Sequence, residues 1–128
     1  MQSTWAKSLS KILSKWWGTQ GLAAMLKSED YPIRLEAADT LASMEQAAEP
    51  AIPNLIVAID DENVWVSDGA IEALGAIGPD AKAAVPKIIE MLGESYQSSR
   101  AQWALIKITG QNFGSDQAAW KQWWEGQK

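Results

Sequence analysis

Residues 51–78 read AIPNLIVAIDDENVWVSDGAIEALGAIG, and the spacing of their apolar side chains decides the fold. Ile52, Leu55, Ile56 and Ile59 recur at three- and four-residue steps, and so do Val66, Ala70, Leu74 and Ile77. Such steps line one face of an α-helix, and no segment sustains the alternation of a strand. Pro53 stands near the start of the first helix, where its missing N–H costs little, and Gly78-Pro79 ends the second. Two amphipathic helices joined by a short acidic turn are predicted, packed antiparallel.

On both sides of this stretch the unit repeats. A shift of 33 residues places Ile33 on Val66, Ala37 on Ala70, Leu41 on Leu74 and Met44 on Ile77. Without a gap it also places Ile52 on Val85, Pro53 on Pro86, Leu55 on Ile88, Ile56 on Ile89 and Ile59 on Leu92. Applied backwards, it sets Leu22 under Leu55 and Leu26 under Ile59. A third copy follows at a shift of 31, with Leu105 and Ile108 matching Leu74 and Ile77 after two residues are lost from the turn. A fixed interval of this size signals stacked helix pairs that share one continuous core. Eight helices are predicted: Ser3–Trp17, Gln20–Ser28, Pro32–Met44, Pro50–Ile59, Asn63–Ile77, Ala81–Leu92, Tyr96–Ile108 and Asp116–Glu125.

The segments AIPNLIVAIDDENV (51–64) and AVPKIIEMLGES (84–95), with VSDGAIEALGAIG (66–78), resemble HEAT-repeat proteins over roughly Gly21 to Gly110. The resemblance implies an all-α, right-handed α-solenoid, with the first helix of each pair convex and the second concave. It also implies an Asp before the second helix paired with an Arg early in it. Arg34 and the Asp60-Asp61 turn fit that pattern, but Ser67 replaces arginine in the middle unit, so the implied ladder is partial. The ending ALIKITGQNFGSDQAAWKQWW, with its Thr109-Gly110 turn, is similar to the closing segment of bacterial HEAT-like proteins. One domain is expected over 1–128, with a capping helix in 1–18, three helix pairs in 19–110 and a second capping helix in 111–128. Solenoid ends expose an apolar face that terminal helices must shield. Trp120, Trp123 and Trp124 form the closing stripe, with Ser115 expected as its N-cap. Trp5, Leu9, Ile12, Leu13 and Trp16 form the opening one.

Composition narrows the chemistry. The 128 residues contain no Cys and no His, which removes disulfides, thiolate nucleophiles, imidazole ligands and every Ser/His/Asp relay. An apolar content of 47% with 21% charged residues suits a soluble globular chain, and no apolar run approaches the roughly eighteen residues of a membrane span. Residues 1–27 carry Lys7, Lys11, Lys15 and Lys27 and no acid; the rest carries 7 basic and 16 acidic residues. An acidic body repels phosphate backbones, so no nucleic-acid partner is expected. No apolar core of about 7 to 15 residues follows the first lysine, so no signal peptide is read. The expected location is the cytoplasm by default, or outside it if a signal segment was removed.

On a solenoid the residues of the second helices that point away from the core are those a protein or peptide partner would meet. Tyr31, Leu35 and Asp39 hold these positions in the first unit, and Trp65, Asp68 and Glu72 in the second. The third offers Tyr96, Ser99, Arg100, Trp103 and Lys107. Aromatic and arginine side chains are common interface anchors, and Trp65, outside the apolar stripe, is the strongest candidate. Tyr96 and Trp103 have a second reading, as cover for the joint with the closing helix. Asp60, Asp61, Glu62 and Asn63 form the densest acidic run, which capping and the helix dipole explain more simply than a metal ion does. No cofactor or metal is expected; the repeat, with no His, no Cys and no nucleophile constellation, points to a non-catalytic module, and a monomer is favoured over an oligomer of undetermined size. The alternatives are a membrane-associated protein, through the Lys7, Lys11 and Lys15 stripe, or an enzyme-accessory protein of lyase- or chaperone-like kind. HEAT-like DNA glycosylases rely on a basic groove that this chain lacks.

Overall fold

The two prolines of the repeat set where the first helix of each pair begins. Each needs a first-turn position, because only there is an amide hydrogen not required. In the computed structural model, which describes residues 18–94 and 96–127, Pro53 and Pro86 stand in the first turn of α-helices Ile52–Ala58 and Val85–Met91. The residues before them wind instead as 3₁₀ segments, Glu45–Ala51 and Pro79–Ala84. The single helices expected over Pro50–Ile59 and Ala81–Leu92 are therefore each split in two.

Seven α-helices are found among the described residues, and no strand. In chain order they are α1 Gly18–Met25, α2 Tyr31–Ser43, α3 Ile52–Ala58, α4 Val64–Ile77, α5 Val85–Met91, α6 Ser98–Thr109 and α7 Gln117–Glu125. The eighth expected helix, Ser3–Trp17, lies outside the described residues together with its tryptophan and lysine stripes. The arrangement fits an α-solenoid of two layers. Helix α4 packs closely against α2 on one side and α6 on the other, while α3 leans on α4 and α7 on α5.

Repeat-equivalent side chains meet the same fate. Leu22, Leu55 and Ile88 are fully buried, as are Leu41, Leu74 and Leu105. They form one core through all the units. The layer of α2, α4 and α6 packs tightly because its contact residues are small: a Cβ at Gly69 would fall 3.1 Å from that of Ala38, and Ala37, Ala70, Ala101 and Ala104 are fully buried. At the ends of these helices, Asn63 caps α4 by accepting from the amides of Trp65 and Val66. Gly110 closes α6 at φ 75°, a conformation that only glycine adopts without strain.

Neighbouring units are tied by two unlike rungs. Arg34 donates through Nε and Nη2 to both carboxylate oxygens of Asp61, at 2.8 and 3.2 Å, and through Nη1 to the carbonyl oxygens of Ser28 and Glu29. In the next unit the hydroxyl of Ser67 donates to the Ile59 carbonyl at 2.6 Å and accepts from Gln97 Nε2 at 2.9 Å. Ser67 therefore does not end the ladder. A neutral, buried pair continues it, and Gln97 is the partner that the sequence did not advertise.

Asp61→Ala is expected to cost about 2 kcal/mol, since it strands a mostly buried guanidinium and removes the acceptor of the Asn63 amide. Asp60→Ala, which removes only an exposed carboxylate, should cost no more than a few tenths. Equal urea midpoints for the two variants would contradict the assignment.

The closing helix is a cap in geometry. Trp120 is fully buried and donates from Nε1 to the Gly114 carbonyl at 2.9 Å; its ring meets Phe113 edge-on at 4.9 Å. Gln117 anchors the helix to α5 by donating to the Ile89 carbonyl. The N-cap is Asp116 rather than Ser115. Its carboxylate accepts from the Ala119 amide, three residues on, which Ser115 stands too far back to do.

Candidate functional site

The repeat sets α2, α4 and α6 side by side in the same direction, so their outward positions form rows. The structure joins those rows into one open groove along α4. At its amino-terminal end Val64, Trp65 and Asp68 of α4 face Tyr96 and Gln97 across a depression of about 430 Å³. Asp68 and Tyr96 continue into a smaller one of about 310 Å³ with Ser99, Arg100 and Trp103. Trp103 in turn leads to the largest, about 570 Å³, lined by Asp39, Ala42, Ser43, Glu45, Glu72, Ala76 and Lys107.

Eight of the expected partner-facing residues thus lie together with Ser99: Asp39, Trp65, Asp68, Glu72, Tyr96, Arg100, Trp103 and Lys107. Tyr31 is exposed and Leu35 half-buried at the start of α2, and neither lines these depressions. Trp65 is 64% exposed, Tyr96 71% and Trp103 39%. The second reading of Tyr96 and Trp103, as cover for the closing joint, does not hold. The Trp103 indole rests on α4, where a Cβ at Gly75 would fall 2.4 Å from its Cζ3, and Tyr96 shares its depression with Trp65.

Charge in the groove is organised across helices. Arg100 of α6 reaches Asp68 at 3.4 Å and Glu72 at 3.3 Å on α4, which holds the middle of the groove in a fixed pattern. Four carboxylates, Asp39, Glu45, Asp68 and Glu72, stand against two cations, Arg100 and Lys107.

Glu45 was missed in the sequence reading, and its backbone marks it. It sits at φ 52°, a left-handed conformation that is strained for any residue with a Cβ. Its equivalent at the shift of 33 is Gly78, with φ 86°. An acidic residue at the helix-ending position that the next unit gives to glycine was the available signal.

The acidic turn after α3 is otherwise engaged. Asp61 holds Arg34, Asn63 caps α4, and Asp60 lies 2.7 Å from Lys87 Nζ. That hydrogen bond to Asp60, with a lesser one to Glu90 and against a desolvation effect, holds the Lys87 pKa above its ordinary 10.5. The charged lysine is favoured in the folded chain, so the pair's contribution is complete at neutral pH and fades as pH climbs past the ordinary lysine range. Among the described residues no group of three or more acidic side chains is set to hold a metal ion. None of their helices is long and apolar enough to cross a membrane.

No curated protein and no solved structure matches the chain. A family model described as HEAT repeats matches residues 19–108, the span that contains all the helix pairs of the repeat. With more than half of its length matched, and with antiparallel helix pairs sharing one core at a constant interval, this chain belongs to the HEAT-repeat family.

Proposed function

We propose that the chain is a non-catalytic protein-interaction module whose partner lies in the groove along α2, α4 and α6. HEAT repeats are generally protein-interaction or scaffold modules. The observation that carries the reading is the exposure of Trp65, Tyr96 and Trp103 along one continuous groove, since large rings left in water on a rigid face are the usual anchors of an interface. The groove is open along its length, unlike the deep pocket that converging acid and base groups require, and the chain has no imidazole or thiol for a nucleophile relay.

The test is capture of a protein partner by the wild-type chain and by Trp65→Ala. Truncating an aromatic anchor costs about 2 kcal/mol of binding, roughly thirtyfold in affinity. Loss of the partner with an unchanged helical circular dichroism spectrum supports the groove. Undiminished binding moves the site elsewhere on the molecule.

A further inference from the structure

The two depressions at the amino-terminal end of the groove hold charges that answer one another. Of the residues lining them only Asp68 and Arg100 are charged, and these stand 3.4 Å apart. Arg100 also reaches Glu72 at 3.3 Å, so this stretch is closed among its own ions and suits an uncharged occupant. What its lining offers is ring faces and hydrogen-bond donors. Trp65, Tyr96 and Trp103 are exposed, and they carry two indole N–H groups and a phenol hydroxyl. Ser99 adds a second hydroxyl, while the only carboxylate is the one that Arg100 holds. An ordinary extended segment would bring amide hydrogens as well as carbonyls, and few acceptors await them. Proline brings the carbonyl alone.

The rings are also spaced for such a chain. The shift of 31 sets Tyr96 on Trp65 and Trp103 on Glu72, so along the groove Trp103 stands level with a residue seven positions beyond Trp65. At about 1.5 Å per helical residue that is about 10 Å. A polyproline II helix turns once in three residues, over about 9 Å.

We propose, on the footing of the docking groove above, that its aromatic half takes a proline-rich segment of a partner protein wound as a polyproline II helix. One proline packs between Trp65 and Tyr96, and the proline three residues on packs between Tyr96 and Trp103. The indole and hydroxyl groups donate to the carbonyls of the same turn. Because that helix persists in the free segment, little order is lost on docking. Trp103 is a firm far wall, since its indole is seated on Gly75.

The experiment is titration of the folded full chain with end-blocked dodecaproline, followed through the indole N–H resonances of the ¹⁵N-labelled protein, and then selection of a random dodecapeptide display library. Saturable binding is expected, with the Trp65 and Trp103 indole signals shifted. Trp65→Ala and Trp103→Ala should each weaken it about tenfold. Tyr31→Ala, which removes an exposed ring outside the groove, should leave it unchanged. Raising salt from about 0.05 to about 0.5 M should alter the affinity less than twofold, because no net charge is exchanged. Selected peptides should carry prolines three positions apart. Failure of dodecaproline to saturate the chain by about 1 mM, or binding that both tryptophan variants retain, overturns the inference. Selected peptides without such prolines, if lost on Trp65→Ala, overturn it too and leave the docking groove standing. Selected peptides indifferent to both tryptophan variants overturn the groove as well.

Discussion

Leu74→Asp is expected to unfold most of the molecule at temperatures where the parent chain is intact. Leu74 is fully buried at the centre of α4, the helix that packs against both α2 and α6. The substitution removes the transfer energy of a leucine side chain, leaves a cavity, and places a carboxylate among Ala70, Ile71 and Ile77 with no partner. Together these cost roughly 3 to 5 kcal/mol, a large part of the 5 to 15 or so that holds a typical domain folded. Because every unit contributes to one core, the loss should appear as a lowered midpoint of the whole helical signal in urea or heat. A midpoint equal to that of the parent would contradict the placement of Leu74.

Trp120→Ala should rank beside it, although the residue lies on the last helix. Its indole is fully buried, meets Phe113 edge-on at 4.9 Å and Trp123 at 6.2 Å, and donates its only hydrogen bond to Gly114. Losing so large a ring from a packed site costs about 3 to 5 kcal/mol. What is lost first is the seat of α7 on α5, so amide exchange in α7 should accelerate at denaturant concentrations where α4 is still protected. Uniform protection of α4 and α7 in the variant would show that the closing helix does not depend on this ring.

Much of this architecture was legible because it rests on local periodicity. The three- and four-residue steps of Ile33, Ala37 and Leu41, repeated at Val66, Ala70 and Leu74, define a buried stripe whatever lies on its other side. Burial of the leucines at 41, 74 and 105 followed from that stripe. Helix ends were read less well. Asp116 and Ser115 are adjacent and both able to cap, and only the direction of the chain into α7 selects between them. The start of α3 and α5 was written in Pro53 and Pro86, but the 3₁₀ winding before them depends on the close seat of each segment against its neighbours.

The candidate site was legible as a set of rows and not as a groove. Counting along α2, α4 and α6 identified eight of its residues, because outward positions on equivalent helices recur with the repeat. Tyr31 and Leu35 obey the same count yet lie apart from the groove, whose lining from α2 begins at Asp39.

Residue spacing was enough to specify an all-helical chain of paired amphipathic helices with a continuous apolar interior, since hydrophobic burial needs only the right faces and is indifferent to detail. The packing of separate helices was needed to form the rung from Arg34 to Asp61, the substitute pair of Ser67 and Gln97, the rest of Trp103 on Gly75 and the meeting of Arg100 with Asp68 and Glu72. Hydrogen bonds and ion pairs are directional and short-ranged, so they form only where separate helices bring atoms within about 3 Å. Those distances depend on how closely small residues let the helices approach, which no periodicity records.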